Sequence, residues 1–213
     1  MKKSIGIVAA TELEIAPLKG KKNFSLCITG IGGVNTTYHL LQFIKENKIS
    51  ILIQAGIAGC FSKEVPLASV FIIDKDRFGD LGVMEEGEWK DFFDLQLSNA
   101  HEAPFKDGWL INNNCQAYNP NHLKAASSIS VNEISTSKTK MQLLSGKYNP
   151  VTESMEGAAF HYVCLKQKIP FLQLRSISNY AGERNKSKWD IEKSILHLNK
   201  ELADIIDFIS LEK

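Results

Sequence analysis

The chain has 213 residues, with 25 lysines and arginines against 24 aspartates and glutamates, a formal charge of +1 and 44% hydrophobic residues. This composition excludes extended disorder, and the near balance of charge gives no electrostatic reason to expect nucleic acid or an anionic membrane as a partner. Cys27, Cys60, Cys115 and Cys164 form no CxxC or CxH pair, and the five histidines are scattered. Reduced thiols, no metal site and a cytoplasmic location are therefore expected, since neither a leader's apolar core nor a membrane-length apolar window is found.

In chain order, Ser4–Ala10 (SIGIVAA) reads as a strand buried on both faces, and Phe24–Thr29 as a second. A glycine turn, Gly30–Gly33, leads into Val34–Asn47, where Val34, Tyr38, Leu41 and Ile44 recur at helical spacing. Ile51–Ala55 is a third strand, closed by a Gly56–Gly59 loop, and Val70–Asp74 a fourth. Such alternation predicts an α/β domain with a largely parallel sheet, whose ligands bind where loops leave the carboxyl ends of strands. Residues 77–121 lack a regular period and cluster Trp89, Phe92, Phe93, Phe105, Trp109 and Tyr118. They read as a lid, a subunit contact, or a plain excursion with one or two short strands, such as Gly108–Ile111. Regular order returns with a strand at Ala125–Val131, helices at Lys138–Tyr148 and Met155–Lys166, and a strand at Phe171–Ser176. Ser187–Lys213 is a long helix with Ile191, Ile195, Leu198, Leu202, Ile205 and Ile209 on one face.

The Gly30-Ile31-Gly32-Gly33 turn stands where a dinucleotide fingerprint would, but Asn35 takes the place of its third glycine, and no GK[ST] follows. Only Arg77, Arg175 and Arg184 are arginines, so the first third has no fork for a phosphate. Arg175 reads more readily as a structural ion-pair partner than as a catalytic group. Glu12 and Glu14 follow the first strand, at the ligand face of an α/β sheet; the local sequence favours helix-capping acids over a general base. Glu156 precedes Gly157-Ala158-Ala159, small residues that let a ligand come close, and reads as functional. Asn179 ends a strand and offers both donor and acceptor, which suits a heterocycle edge as well as a turn. His161 reads as a packed residue, not an acid.

Taken together, the blocks IGIVAATELE, TGIGGVN, QAGIAG, SMEGAA and RSISN resemble the purine nucleoside phosphorylase/nucleosidase superfamily, in particular its hydrolytic branch. The segments DLGVMEEGEWKDFFDL, PFKDGWL and NYAGERNKSKW are similar to those of futalosine hydrolases within it. The resemblance implies one domain over residues 1–213, a three-layer α/β/α fold around a central mixed, mostly parallel twisted sheet, and no cofactor. It further implies a homo-oligomer acting on a small purine nucleoside. Glu14 matches the carboxylate that orients and deprotonates the attacking water, Glu156 the one that grips the ribose hydroxyls, and Met155 the residue packed on the sugar. Ile57 and Ala58 would wall the sugar side, Asn132, Ile134 and Ser135 would lie against the base, and Arg184 would meet the distal end of the substrate. In adenine-specific members an aspartate matches Asn179. A carboxamide is a poor general acid, yet it can donate to a 6-oxo group, so Asn179 points to hypoxanthine over adenine. The alternatives are a nucleosidase for inosine or methylthioadenosine, and a non-catalytic nucleoside-binding module.

Overall fold

The computed structural model describes residues 3–21 and 23–211. Among the described residues ten strands run in chain order: β1 (Ile5–Ala9), β2 (Ser25–Ile28), β3 (Ile51–Cys60), β4 (Val70–Phe78), β5 (Gly82–Glu85), β6 (Glu88–Asp91), β7 (Leu110–Ile111), β8 (Ala125–Ser130), β9 (Thr152–Ser154) and β10 (Phe171–Tyr180). The α-helices are α1 (Gly33–Glu46), α2 (Lys138–Tyr148), α3 (Gly157–Gln167) and α4 (Ile191–Leu211), and Leu13–Leu18 forms a 3-10 segment. The end of the long helix expected over Ser187–Lys213 lies outside the described residues.

The main sheet is mixed, in the order β10-β4-β8-β9-β3-β1-β2, and β10 also pairs with β3. Strands β3, β10, β4, β8 and β9 therefore close on themselves. The sheet is mixed, as expected, since β10 runs antiparallel to β4 and β3 antiparallel to β9; what was not expected is that it closes into a barrel-like arrangement. The cause lies in the Gly56–Gly59 stretch, expected as a loop. It continues β3 to Cys60. One edge of β3 then meets β1 through Ile51–Gln54 and β9 through Gly59 and Cys60, while its other edge meets β10 along nearly its whole length. Gly56 is required by close approach: a Cβ there would collide with the Arg175 guanidinium.

Both faces of the β1–β3–β10 region are covered. On one, α4 packs Leu198, Leu202, Ile205 and Ile209 against Ile7, Ile53, Leu172 and Leu174. On the other, Leu40 and Phe43 of α1 and Phe160 and Val163 of α3 cover Val8 and Leu52. Each of these side chains contributes roughly 1.5–3 kcal/mol through burial. All four cysteines are free and buried, and burial pushes the Cys27 thiol up to about 11.

The irregular middle segment carries an unanticipated hairpin, β5–β6, and the strand expected at Gly108–Ile111 shrinks to Leu110–Ile111. A clip of charge and aromatic rings ties the hairpin down. Asp91 accepts from Arg77 Nη2 at 2.7 Å and from the Tyr148 hydroxyl at 3.1 Å. The Arg77 guanidinium lies 4.0 Å from the centre of the Tyr148 ring, and Trp89 Nε1 donates to the Tyr148 oxygen at 2.9 Å. A charge this buried is tolerable only when paired and stacked.

Candidate functional site

A cavity of about 350 Å³ opens where β1, β3 and β10 end. The 3-10 segment after β1 brings Glu14 to its wall, and Asn199 of α4 pins that turn by donating to the Glu14 carbonyl at 2.8 Å. The Glu14 side chain is 7% exposed. Its Oε1 accepts from the Ile57 N–H at 3.1 Å, and its Oε2 from the Thr11 N–H at 2.9 Å and hydroxyl at 3.2 Å. Burial raises the Glu14 pKa; Arg175 and the two N–H groups oppose the rise, and Glu156 adds to it. A carboxylate so placed is readier to take a proton than an exposed one.

Glu156 caps α3 from the opposite wall. Its Oε1 accepts from the Gly32 N–H at 3.1 Å, and Gly32 can present that amide because its φ of 90° suits glycine. Arg175 is 1% exposed, lies 3.7 Å from Glu156 Oε2 and donates to Gln54 Oε1 at 3.0 Å. The guanidinium thus pairs with Glu156 and acts on Glu14 only through space, so the ion-pair reading of Arg175 holds and gains a site to serve.

Beneath the start of α3 lies a buried polar platform. Ser130 Oγ donates to Asp76 Oδ1 at 3.0 Å and accepts from the Ala158 N–H at 2.7 Å. Gln173 donates to Asp76 Oδ2 at 3.1 Å, and the Arg77 N–H to Oδ1 at 2.8 Å. Burial pushes the Asp76 carboxyl up to about 6. Gly157 makes this seat, since a Cβ there would collide with Asp76. His161 is fully buried beside the platform, with Nδ1 2.9 Å from the Leu110 carbonyl; burial lowers it to about 4 and keeps it neutral.

At the other end of the cavity stands Asn179. Its Oδ1 accepts from the Ser178 hydroxyl at 2.8 Å, and its Nδ2 donates to the Tyr180 carbonyl at 3.1 Å. One amide hydrogen and one lone pair remain for a ligand. The register of β10 against β3 shifts between Ile177 and Asn179, a bulge that re-aims the side chain at the strand end.

A family model described as the Phosphorylase superfamily matches residues 5–210. The chain belongs to that superfamily. Among curated members it is similar to the futalosine hydrolase of Thermus thermophilus, at 26% identity over 89% of this chain and 83% of that one. A 5'-methylthioadenosine/S-adenosylhomocysteine nucleosidase of Aeromonas salmonicida is 24% identical over 87% of this chain and 90% of its own. In fold it is similar to the solved futalosine hydrolase of Helicobacter pylori, with a TM-score of 0.80, 21% identity and coverage of 98% and 99%.

In this superfamily member the cavity gathers Glu14, Ile57, Ala58, Ile134, Met155, Glu156 and Asn179. Three other expected contacts stand elsewhere. Asn132 is exposed and spends its N–H and side-chain amide on Asp80, at 2.7 and 3.2 Å. It lines a neighbouring groove of about 550 Å³, which shares Val131 and Met155 with the cavity. Ser135 is fully buried, and its N–H goes to Glu153. Arg184 is exposed, 5.7 Å from the ring centre of Trp189, and it is Trp189 that lines the cavity. The preference for Glu12 and Glu14 as simple caps is corrected for Glu14, which is buried in the wall. Glu12 is exposed and pairs with Lys19 at 2.6 Å. Sequence reasoning missed Thr11, Asp76, Glu153 and Trp189. Only Glu153 carried a local hint, as an acid three residues before Glu156 in TESME.

Proposed function

We propose that the chain hydrolyses the N-glycosidic bond of futalosine, releasing hypoxanthine and dehypoxanthine futalosine, a step of menaquinone biosynthesis. The chain is a hydrolase of N-glycosyl compounds; the finer choice of substrate is the proposal. The observation that carries it is a carboxamide, Asn179, in the same cavity as two carboxylates, one of which, Glu156, is paired with Arg175.

The chemistry follows from the residues. As the C1′–N9 bond breaks, its electron pair leaves with the purine and the ribosyl becomes oxocarbenium-like. Glu14 accepts a proton from the water whose oxygen bonds to C1′. Glu156 accepts from the ribose hydroxyls, and its tie to Gly32 means that it need not reorganise when it does so. Asn179 stabilises the departing base through its free N–H and lone pair. Water is favoured over phosphate as nucleophile, because Arg175 is held by Glu156 and Gln54 and no arginine precedes Arg77. A methylthioadenosine reading has support from the Aeromonas relative's name, but Asn179 weighs against it.

The test is to give purified protein futalosine, inosine and methylthioadenosine without phosphate and follow base release. Fastest release from futalosine is expected. A preference for methylthioadenosine, or a requirement for phosphate, would remove the reading.

A further inference from the structure

We infer that Ser130, held in place by Asp76, is a positioning residue for Glu156: it caps α3 from outside the helix and so frees the Glu156 carboxylate for a ribose. This rests on the nucleoside-hydrolase reading of the cavity.

Glu156 is the N-cap of α3, yet its side chain makes no hydrogen bond to the helix that it caps. An N-cap side chain ordinarily accepts from the N–H of the second or third helical residue, and the helix dipole draws a carboxylate to the same place. Glu156 instead sends Oε1 to the N–H of Gly32, 124 positions away in the chain. The first turn of α3 must then find its acceptors elsewhere, because a buried N–H left unpaired is costly.

Ser130 supplies one. Its Oγ accepts from the N–H of Ala158, the second helical residue, at 2.7 Å. Both residues are buried, so bulk water is no ready substitute. Ser130 ends β8, where it pairs with Phe78 of β4 and Ser154 of β9, and these neighbours fix its backbone on both sides.

Asp76 sets the direction of the bond. A hydroxyl both donates and accepts, whereas a carboxylate only accepts. Asp76 Oδ1, 3.0 Å from Ser130 Oγ, takes the hydroxyl hydrogen and leaves a lone pair for Ala158. Asp76 is itself fixed by the Arg77 N–H at 2.8 Å and by Gln173 at 3.1 Å. Gly157, the first helical residue, lets α3 sit this low, since a Cβ there would collide with both Asp76 and Gln173. Without the Ser130 hydroxyl, the Ala158 N–H competes with the cavity for the Glu156 carboxylate.

The test is Ser130→Ala, assayed on futalosine and on its 2′-deoxy counterpart. A grip on the ribose hydroxyls favours the ribonucleoside, so the ratio of the two kcat/KM values should fall at least about tenfold, the equivalent of one charged hydrogen bond. Glu156→Ala should lower the same ratio, and the double variant should lower it no further, because both changes act through one carboxylate. If Ser130 only steadies the fold, both substrates lose equally. An unchanged ratio, or a further fall in the double variant, overturns the inference. Ser130→Cys keeps the volume with a weaker acceptor and carries the same comparison if the alanine variant does not fold; a smaller fall is expected, and no fall overturns the inference. A crystal structure of Ser130→Ala needs no substrate. The Glu156 carboxylate should have turned from the Gly32 N–H to the Ala158 N–H, and a carboxylate still on Gly32 overturns the inference. Protein that releases base from no purine nucleoside, with Glu156 turned in the variant, would remove the hydrolase reading and leave the cap by Ser130 standing.

Discussion

The sugar end and the base end of the cavity finish their polar side chains differently. At the sugar end, both oxygens of Glu14 and one of Glu156 accept from fixed backbone N–H groups, and Arg175 lies beside the remaining Glu156 oxygen. At the base end, Asn179 spends only half of its amide on its neighbours. Charge that must act during bond cleavage is set in place beforehand. A group that must choose a ligand is left with valences to fill.

The comparison breaks most sharply at Glu14. Glu14→Gln is expected to lower kcat by about 10²–10⁴ with KM little changed, measured by hypoxanthine release. The wild-type rate should fall as pH drops through an apparent pKa above that of an ordinary glutamate, because burial holds the Glu14 pKa high and the base must be ionised. An unchanged rate in the variant would deprive the sugar end of its base.

Asp76 tests whether the platform under Glu156 carries charge. Its pKa is about 6 when folded, against 3.8 as reference, so its contribution to stability is present at low pH and lost as pH rises through about 6. Asp76→Asn should therefore gain on the wild type by up to about 3 kcal/mol between about pH 4 and pH 8 in denaturant unfolding. A pH-independent difference would mean that Asp76 does not titrate in the fold.

Asn179→Asp sharpens the base end. A carboxylate cannot donate to O6, so preference should move about tenfold towards adenine nucleosides, read as a ratio of kcat/KM values. Equal loss on both substrates would reduce Asn179 to a fold residue. The smallest effect is expected at Glu12, whose pair with Lys19 is exposed. Glu12→Gln should stay within about twofold of wild-type turnover, since exposed ion pairs contribute little. A large loss would mean that the roles of the two neighbouring acids had been exchanged.

Much of this was legible in the order of residues. Helix α4 follows from apolar spacing, because one face of a helix must leave water whatever it packs on; α1 was legible as a helix, but the face read from Val34, Tyr38 and Leu41 stays exposed, and Leu40 and Phe43 pack instead. Glu156 was legible through the small residues behind it. Glu14 was not, because an acid after a strand looks the same in sequence whether it caps a turn or is buried. Its burial depends on Ile57 and Asn199, which are 43 and 185 residues away.

The alternation of strands and helices, the apolar face of α4 and the types of the acids and amide were determined by the chain's own periodicity and chemistry. These depend on neighbours within a turn or a strand. Closure of the sheet, the single guanidinium beside Glu156 and the seat of α3 on Asp76 were decided only by tertiary structure. Each requires groups from strands far apart in the chain to meet at one point, and local sequence carries no record of that meeting.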